Sequence, residues 1–240
     1  MNRGAVPDAT TTQKQPIQAM FSSIASSYDA VNRLLSLGQD QRWRRLALEM
    51  AQLPPEGRLL DVATGTGNLA LLAQQHYPVL RVVGVDLTPA MLIQARGKDT
   101  RRTIHWMTAD GLRLPYPDGT FDAVTSVFMM RNVPDVGRAL REQYRVVKPG
   151  GRVVCLEMTW PQHFPVSWLF KLYFFTLPPL VGGWMSGNFK AYQYLPRSVK
   201  QFLSPQAMAA EMANAGLRDV VWRTRMLGTV AIHVGVKSDN

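Results

Sequence analysis

Three carboxylates and a pair of glycines carry the chemistry most plainly. Leu59-Leu60-Asp61-Val62-Ala63-Thr64-Gly65-Thr66-Gly67-Asn68 is an apolar run entering a Gly-x-Gly turn that opens a helix. Glycine at Gly65 and Gly67 permits the tight turn and lets a ligand approach the backbone. A second carboxylate, Asp86, ends the run Val82-Val83-Gly84-Val85, with Leu87 beyond it. A third, Asp110, stands in Thr108-Ala109-Asp110-Gly111. A Gly-x-Gly turn alone also begins a dinucleotide site. Here Ala70 takes the place of that fingerprint's third glycine, and the Asp61 carboxylate would repel a pyrophosphate. A ligand bearing a sulfonium and an ammonium suits it better, and S-adenosylmethionine bears both. Asp86 is then placed to accept from both ribose hydroxyls, and Asp110 to hold the adenine amino group.

Such groups need a sheet that delivers them to one edge. From Arg58 to Met158, continuous Val/Leu/Ile runs alternate with helical patterns. The spacing predicts strands at Arg58–Ala63, Arg81–Asp86, Ile104–Thr108, Phe121–Phe128 and Gly151–Met158. It predicts helices at Asn68–His76, Pro89–Lys98 and Asp135–Val147. Strands without polar alternation are covered on both faces, which indicates a parallel, doubly wound α/β sheet. Apolar spacing from Pro16 to Gln52 predicts an N-terminal helical cap. Thr159–Leu203 is an aromatic insert punctuated by Pro and Gly, expected to be helical. A helix at Pro205–Ala215 and strands at Val220–Met226 and Val230–Lys237 complete a single domain over residues 16–240. Residues 1–15 are polar and are expected to form a disordered tail, with no export signal.

With 46% hydrophobic and 18% charged residues, the composition is that of a globular protein. The net charge of +10 attracts polyanions, either nucleic acid or an anionic membrane. The single cysteine, Cys155, sits in an apolar run and reads as buried rather than nucleophilic. No stretch reads as a membrane-spanning helix, because Lys171, Pro178, Pro179 and Gly182-Gly183 interrupt the most apolar region, Phe164 to Met185. No His/Cys cluster suggests a metal, and none is expected.

The three strand-end sites resemble the class I methyltransferase pattern, which implies seven strands with a reversed final strand. The flanks resemble the ubiquinone/menaquinone C-methyltransferase family more narrowly. Phe21-Ser-Ser-Ile-Ala25-Ser-Ser-Tyr28-Asp29-Ala-Val-Asn32, Arg131-Asn132-Val133-Pro134-Asp135 and Tyr192-Gln-Tyr194-Leu195-Pro-Arg-Ser198 carry the likeness. Met129-Met130 and Val127 depart from the family's commoner residues there. The resemblance implies cofactor contacts at Thr66, Asp86 and Asp110-Gly111, joined by Leu87 and Tyr28, and methyl transfer to a ring carbon of a prenylated quinol.

Transfer from a sulfonium requires alignment, exclusion of water and an ionised quinol hydroxyl, whose pKa as a free phenol is about 10. Arg131, at the end of the fourth strand, is the candidate for stabilising the phenolate, with Asn132 orienting it; a structural ion pair is the competing reading of Arg131. His233, Tyr28 and Tyr192 are candidate bases, although His233 lies on a Val/Ile-rich strand that suits a structural histidine. The aromatic insert reads either as a lid over a long apolar substrate or as an ordinary helical hairpin. With the basic charge, it predicts a cytoplasmic protein lying against the inner face of an anionic membrane. A nucleic-acid methyltransferase would need an Asn/Asp-Pro-Pro-aromatic or Pro-Cys element, and neither is present. Another phenolic or lipid acceptor remains the alternative. A homodimer is compatible with the sequence and not required by it.

Overall fold

The computed structural model describes residues 9–239, with side chains from Gln15 onward. One sheet of seven strands organises it: β1 (Arg58–Val62), β2 (Arg81–Asp86), β3 (His105–Thr108), β4 (Phe121–Val127), β5 (Val147–Met158), β6 (Arg218–Arg225) and β7 (Val230–Val236). Their order is β3-β2-β1-β4-β5-β7-β6. Only β7 runs against its neighbours, pairing antiparallel with both β5 and β6. The expected mostly parallel sheet with a reversed final strand is what forms. Strand order reverses direction between β1 and β4, and ligands of doubly wound sheets bind outside the carboxyl ends at such a point.

Successive residues of β1 explain why the runs are continuously apolar. Leu59 faces a core shared with α3 (Asp40–Ala51) and α4 (Asn68–His76), whereas Leu60 and Val62 face a second core. That second core is shared with α6 (Val136–Val146) and α9 (Pro205–Asn214), so helices cover both faces. Cys155 is fully buried in it, and burial pushes its thiol up to about 12, which fits the structural reading. α5 (Pro89–Lys98) packs on β2 and β3.

The helical cap is three helices: α1 (Ala9–Ile24), α2 (Tyr28–Leu35) and α3. α1 starts ahead of the expected Pro16, so residues 9–15 are helical; residues 1–8 of the expected tail lie outside the described residues. In the insert, α7 (Val166–Ser186) and α8 (Phe189–Gln201) form a hairpin. Here the expectation of a helix broken at Pro178-Pro179 and Gly182-Gly183 was wrong, since α7 runs through all four residues. The glycines serve close packing instead. A Cβ on Gly182 would meet the Tyr192 ring, and one on Gly183 the Phe189 ring, both on α8. Even so, among the described residues no helix is long and apolar enough to cross a membrane.

Candidate active site

At the carboxyl edge of β1, β2 and β4 the chain forms a cavity lined by Gly65, Asp86, Leu87, Asp110, Gly111 and Tyr28 among others. The loop after β1 coils through left-handed backbone at Ala63, Gly65 and Gly67, with φ of 53°, 59° and 79°. Asp86 holds that loop. Its Oδ2 accepts from the Gly65 N–H at 2.8 Å, and its Oδ1 from the Thr88 N–H at 2.8 Å. Burial raises the Asp86 pKa and these backbone donors oppose the rise. Each carboxylate oxygen can accept more than one hydrogen bond, so the group can still receive ribose hydroxyls. Asp110 accepts from the Leu112 N–H at 3.0 Å, and a Cβ at Gly111 would crowd the Met129 methyl and Val62.

Three expected cofactor residues lie outside this lining. Asp61 is 1% exposed and turns into the sheet, where the hydroxyls of Thr64 (2.6 Å) and Thr125 (2.9 Å) donate to its two oxygens. It braces the loop from behind and lies outside the cavity lining. Thr66 donates instead to Asp29, which also accepts from Asn68 at 2.8 Å and from Lys98 at 2.7 Å. Burial alone would raise the Asp29 carboxyl, but its partners Lys98 and Thr66 prevail and hold it below its usual value. This cluster fastens α2, and with it Tyr28, to the loop. Gly67 caps α4, and a Cβ there would lie 2.5 Å from the Trp106 ring.

The Asp61 environment has a measurable consequence. Desolvation by burial pushes its pKa from 3.8 up to about 6, against the hydroxyls of Thr64 and Thr125. An acid whose folded pKa is raised favours folding most at pH below its unfolded value and loses that contribution as pH climbs through the folded one. Asp61→Asn, which never ionises, is therefore expected to melt higher than the parent at about pH 8, by about 1–3 kcal/mol, with the gain vanishing near pH 4. Thermal melts at both pH values check it; a variant less stable at pH 8 would show the ionised carboxylate to be favourable.

α1 supplies a wall the sequence had not assigned to the site. Ile17, Gln18 and Phe21 line the cavity, and Gln18 Nε2 donates to the Leu87 carbonyl at 2.7 Å. Beyond it lies a second cavity of about 510 Å³, bordered by α2, α3, α7 and the turn at Met226–Leu227. Tyr28 and Phe128 line both cavities and mark where they meet. Burial raises the Tyr28 hydroxyl pKa, while the charges of Arg131 and Arg44 pull it down. Phe128 sits at the end of β4 with φ of 57°, uncommon for a non-glycine residue. Its carbonyl accepts from Arg131 Nη1 at 3.2 Å and from Asn132 Nδ2 at 2.8 Å, which holds the turn.

Arg131 lines the second cavity and Asn132 the first. Glu157, unassigned from sequence, forms an ion pair with Arg131, and the two side chains are 1% and 6% exposed respectively. The competing structural reading of Arg131 is thus realised, but not exhaustively, because the buried Nε–H has no hydrogen-bond partner. Asn132 Oδ1 accepts from the Tyr194 hydroxyl at 3.1 Å.

Two candidate bases fall away on position. His233 is 1% exposed, pairs across the sheet with Cys155, and shares its Nε2 with the Pro205 carbonyl at 2.9 Å. Burial depresses its pKa, and it lines neither cavity; it is a structural histidine. Tyr192 is 4% exposed, packs with Ile24 and Val31, and burial pushes its hydroxyl up to about 12.

With this geometry in place, similarity to known proteins becomes interpretable. The model of the ubiE/COQ5 methyltransferase family matches residues 9–237. A demethylmenaquinone methyltransferase of Thermus thermophilus is 48% identical over 218 residues, covering 90% of this chain and 99% of that protein. Another of that name, from Deinococcus radiodurans, is 44% identical, with 93% of each chain covered. Among solved structures, the [4+2]-cyclase SpnF superposes with a TM-score of 0.70 over 99% of this chain and 100% of its own. At 17% identity that likeness concerns the fold alone.

Proposed function

The chain belongs to the ubiE/COQ5 methyltransferase family, and from that premise we propose that it moves a methyl group from S-adenosylmethionine to a ring carbon of a prenylated quinol, demethylmenaquinol foremost. One observation carries the reading. A cavity bearing carboxylates at the strand ends and a large apolar one meet at Tyr28 and Phe128, so a charged donor and a lipid acceptor can face each other.

S-adenosylmethionine supplies a methyl group already activated on sulfur. Asp86 is assigned to its ribose hydroxyls and Asp110 to the adenine amino group, with Gly65, Leu87 and Gly111 forming close walls. Arg131 lines the acceptor cavity and brings its charge to it, where a quinol oxygen ionises more readily beside a cation. Asn132 and Tyr194 buttress the turn that carries it. A largely apolar lining disfavours water beside the methyl group, which leaves the positioned ring carbon as the favoured nucleophile.

The insert is proposed as a lid that also meets a membrane. α7 buries only Phe174, Pro178, Gly182 and Gly183 and leaves Leu180 63% and Trp184 83% exposed. Apolar surface on this scale marks an interaction face. Residues 158–210 contain no Asp or Glu but include Lys171, Lys190, Arg197 and Lys200, which suits anionic lipid. The test presents a short-chain demethylmenaquinol in vesicles of anionic lipid. Methylated product is expected together with co-sedimentation that weakens as salt rises. Turnover of a water-soluble phenol with none on the vesicle-borne quinol would overturn the assignment, and equal binding to neutral vesicles would remove the electrostatic part.

A further inference from the structure

Asp40, the first residue of α3, stands in the wall of the acceptor cavity, otherwise built mainly of Leu, Phe, Val, Met and Trp side chains. Its Oδ2 pairs with Arg44 Nη1 at 2.6 Å and its Oδ1 accepts from the Ser36 hydroxyl at 3.2 Å. Both charged side chains are buried, at 5% exposure for Arg44 and 7% for Asp40. Arg44 also lies 5.8 Å from the centre of the Phe128 ring, and Arg131 lies 5.5 Å from the same ring. Two buried ion pairs, Arg44–Asp40 and Arg131–Glu157, therefore bracket the residue at the donor–acceptor junction. Of the first pair Asp40 lines the cavity, and of the second Arg131.

Burying an ion pair gives little net stability, and apolar residues of similar volume serve as well or better. A carboxylate left facing an apolar cavity has a chemical use, because it only accepts hydrogen bonds and has about four sites for doing so. Ser36 and Arg44 take one on each oxygen. A hydroquinone carries two hydroxyls on opposite sides of its ring. If one oxygen meets Arg131, the other is free to donate to a group across the cavity. The oxidised quinone has carbonyl oxygens only, and would set lone pairs against the carboxylate in a site that excludes water.

Resting on the reading of this cavity as a quinol site, we propose that Asp40 is the residue that selects the reduced form of the acceptor, by receiving the hydroxyl that does not take part in methyl transfer. Only the reduced ring has a hydroxyl to ionise and so a nucleophilic carbon. Selection by Asp40 keeps the oxidised form from occupying the site unproductively. A charge-assisted hydrogen bond made by one form and denied to the other separates their affinities by about 10- to 100-fold.

The experiment titrates the full-length protein, with S-adenosylhomocysteine present, with a short-chain 2-prenyl-1,4-naphthoquinone and with the same compound reduced by dithionite. The unmodified protein is expected to bind the reduced form about 10- to 100-fold more tightly. In Asp40→Asn the amide can donate to a carbonyl, so the ratio should fall toward unity, chiefly through tighter quinone binding. Because that variant leaves Arg44 unpaired, Asp40→Asn/Arg44→Met is measured beside it; the ratio is read within each variant and does not depend on its stability. A parent protein without preference, or folded variants that keep the parental ratio, would overturn the assignment of Asp40. Binding of neither form by the parent would instead overturn the quinol reading, and this inference with it.

Discussion

Replacing Asp86 with alanine is expected to weaken S-adenosylmethionine binding by at least about 100-fold, the largest effect of any single change on the donor side. Two hydrogen bonds from ribose hydroxyls to a carboxylate are worth about 1.5–3 kcal/mol each, or two to four decades together. The structure adds a second cost. The carboxylate also receives the N–H groups of Gly65 and Thr88, and alanine leaves both donors without their partner. The loop that shapes the cavity then loses its anchor, and stability is expected to fall by about 1–3 kcal/mol per orphaned donor. Asp86→Asn separates the two contributions. Its carbonyl oxygen still accepts from one of the two backbone donors, so the loss of stability should be about half that of alanine, while the charge that strengthens the ribose contacts is gone. Calorimetric titration with S-adenosylmethionine, beside circular dichroism, measures both. A folded variant with parental affinity would withdraw Asp86 from the donor site and take the assignment of the cavity with it.

Asp86 also shows what could be read before the structure and what could not. A carboxylate ending a Val-rich run must emerge at the sheet's ligand-binding edge, so its place followed from local pattern. The same logic drew β2, α4 and α5 with the termini observed, since their glycine, proline and strand-end signals are local. Asp61 looked equivalent, at the end of a similar run, yet it points inward. That orientation depends on Thr125 of β4, a residue distant in sequence whose hydroxyl reaches it only after the strands pair. The hydroxyl of Thr66 is directed by a like long-range contact, since its partner Asp29 comes from the helical cap. In α7, Pro and Gly have strong local preferences, but packing against the Tyr192 and Phe189 rings overrode them. Long-range pairing also hid Glu157, one acidic residue on a long strand, with nothing in its neighbourhood to announce Arg131 as its partner. Strand-end chemistry was legible because it is local; the orientation of buried polar side chains was not, because distant partners set it.

Arg131 is where that buried partner changes the expected outcome most. Arg131→Ala alone should slow methyl transfer drastically, but it should also destabilise the protein by about 3–5 kcal/mol, because Glu157 is left as an unpaired buried charge. A slow, unstable variant would not separate phenolate stabilisation from scaffolding. The double variant Arg131→Met/Glu157→Gln removes both charges, and the introduced amide keeps a carbonyl that can accept the Met158 N–H as Glu157 does, giving up only the longer contact, at 3.3 Å, from the backbone N–H of residue 131. Its melting temperature is expected to return close to the parent, and its S-adenosylmethionine affinity to stay within a few fold, because Arg131 lies on the acceptor side. Turnover on demethylmenaquinol should remain about 100- to 1000-fold down, the usual loss when one preorganised charge-stabilising donor is removed. Raising the pH should recover part of it. A phenol of pKa about 10 ionises further without help as pH rises, whereas the parent enzyme gains less from the change. The observation behind this expectation is the place of Arg131 in the wall of the cavity where the quinol oxygen would sit, with its charge near enough to the Tyr28 hydroxyl to lower that phenol's pKa. A purely structural arginine predicts the reverse: once Glu157 is neutralised, turnover returns along with stability, and pH has no special effect on the variant. That result would leave Arg131 as a brace for the Phe128 turn and send the search for the phenolate's partner to Tyr28.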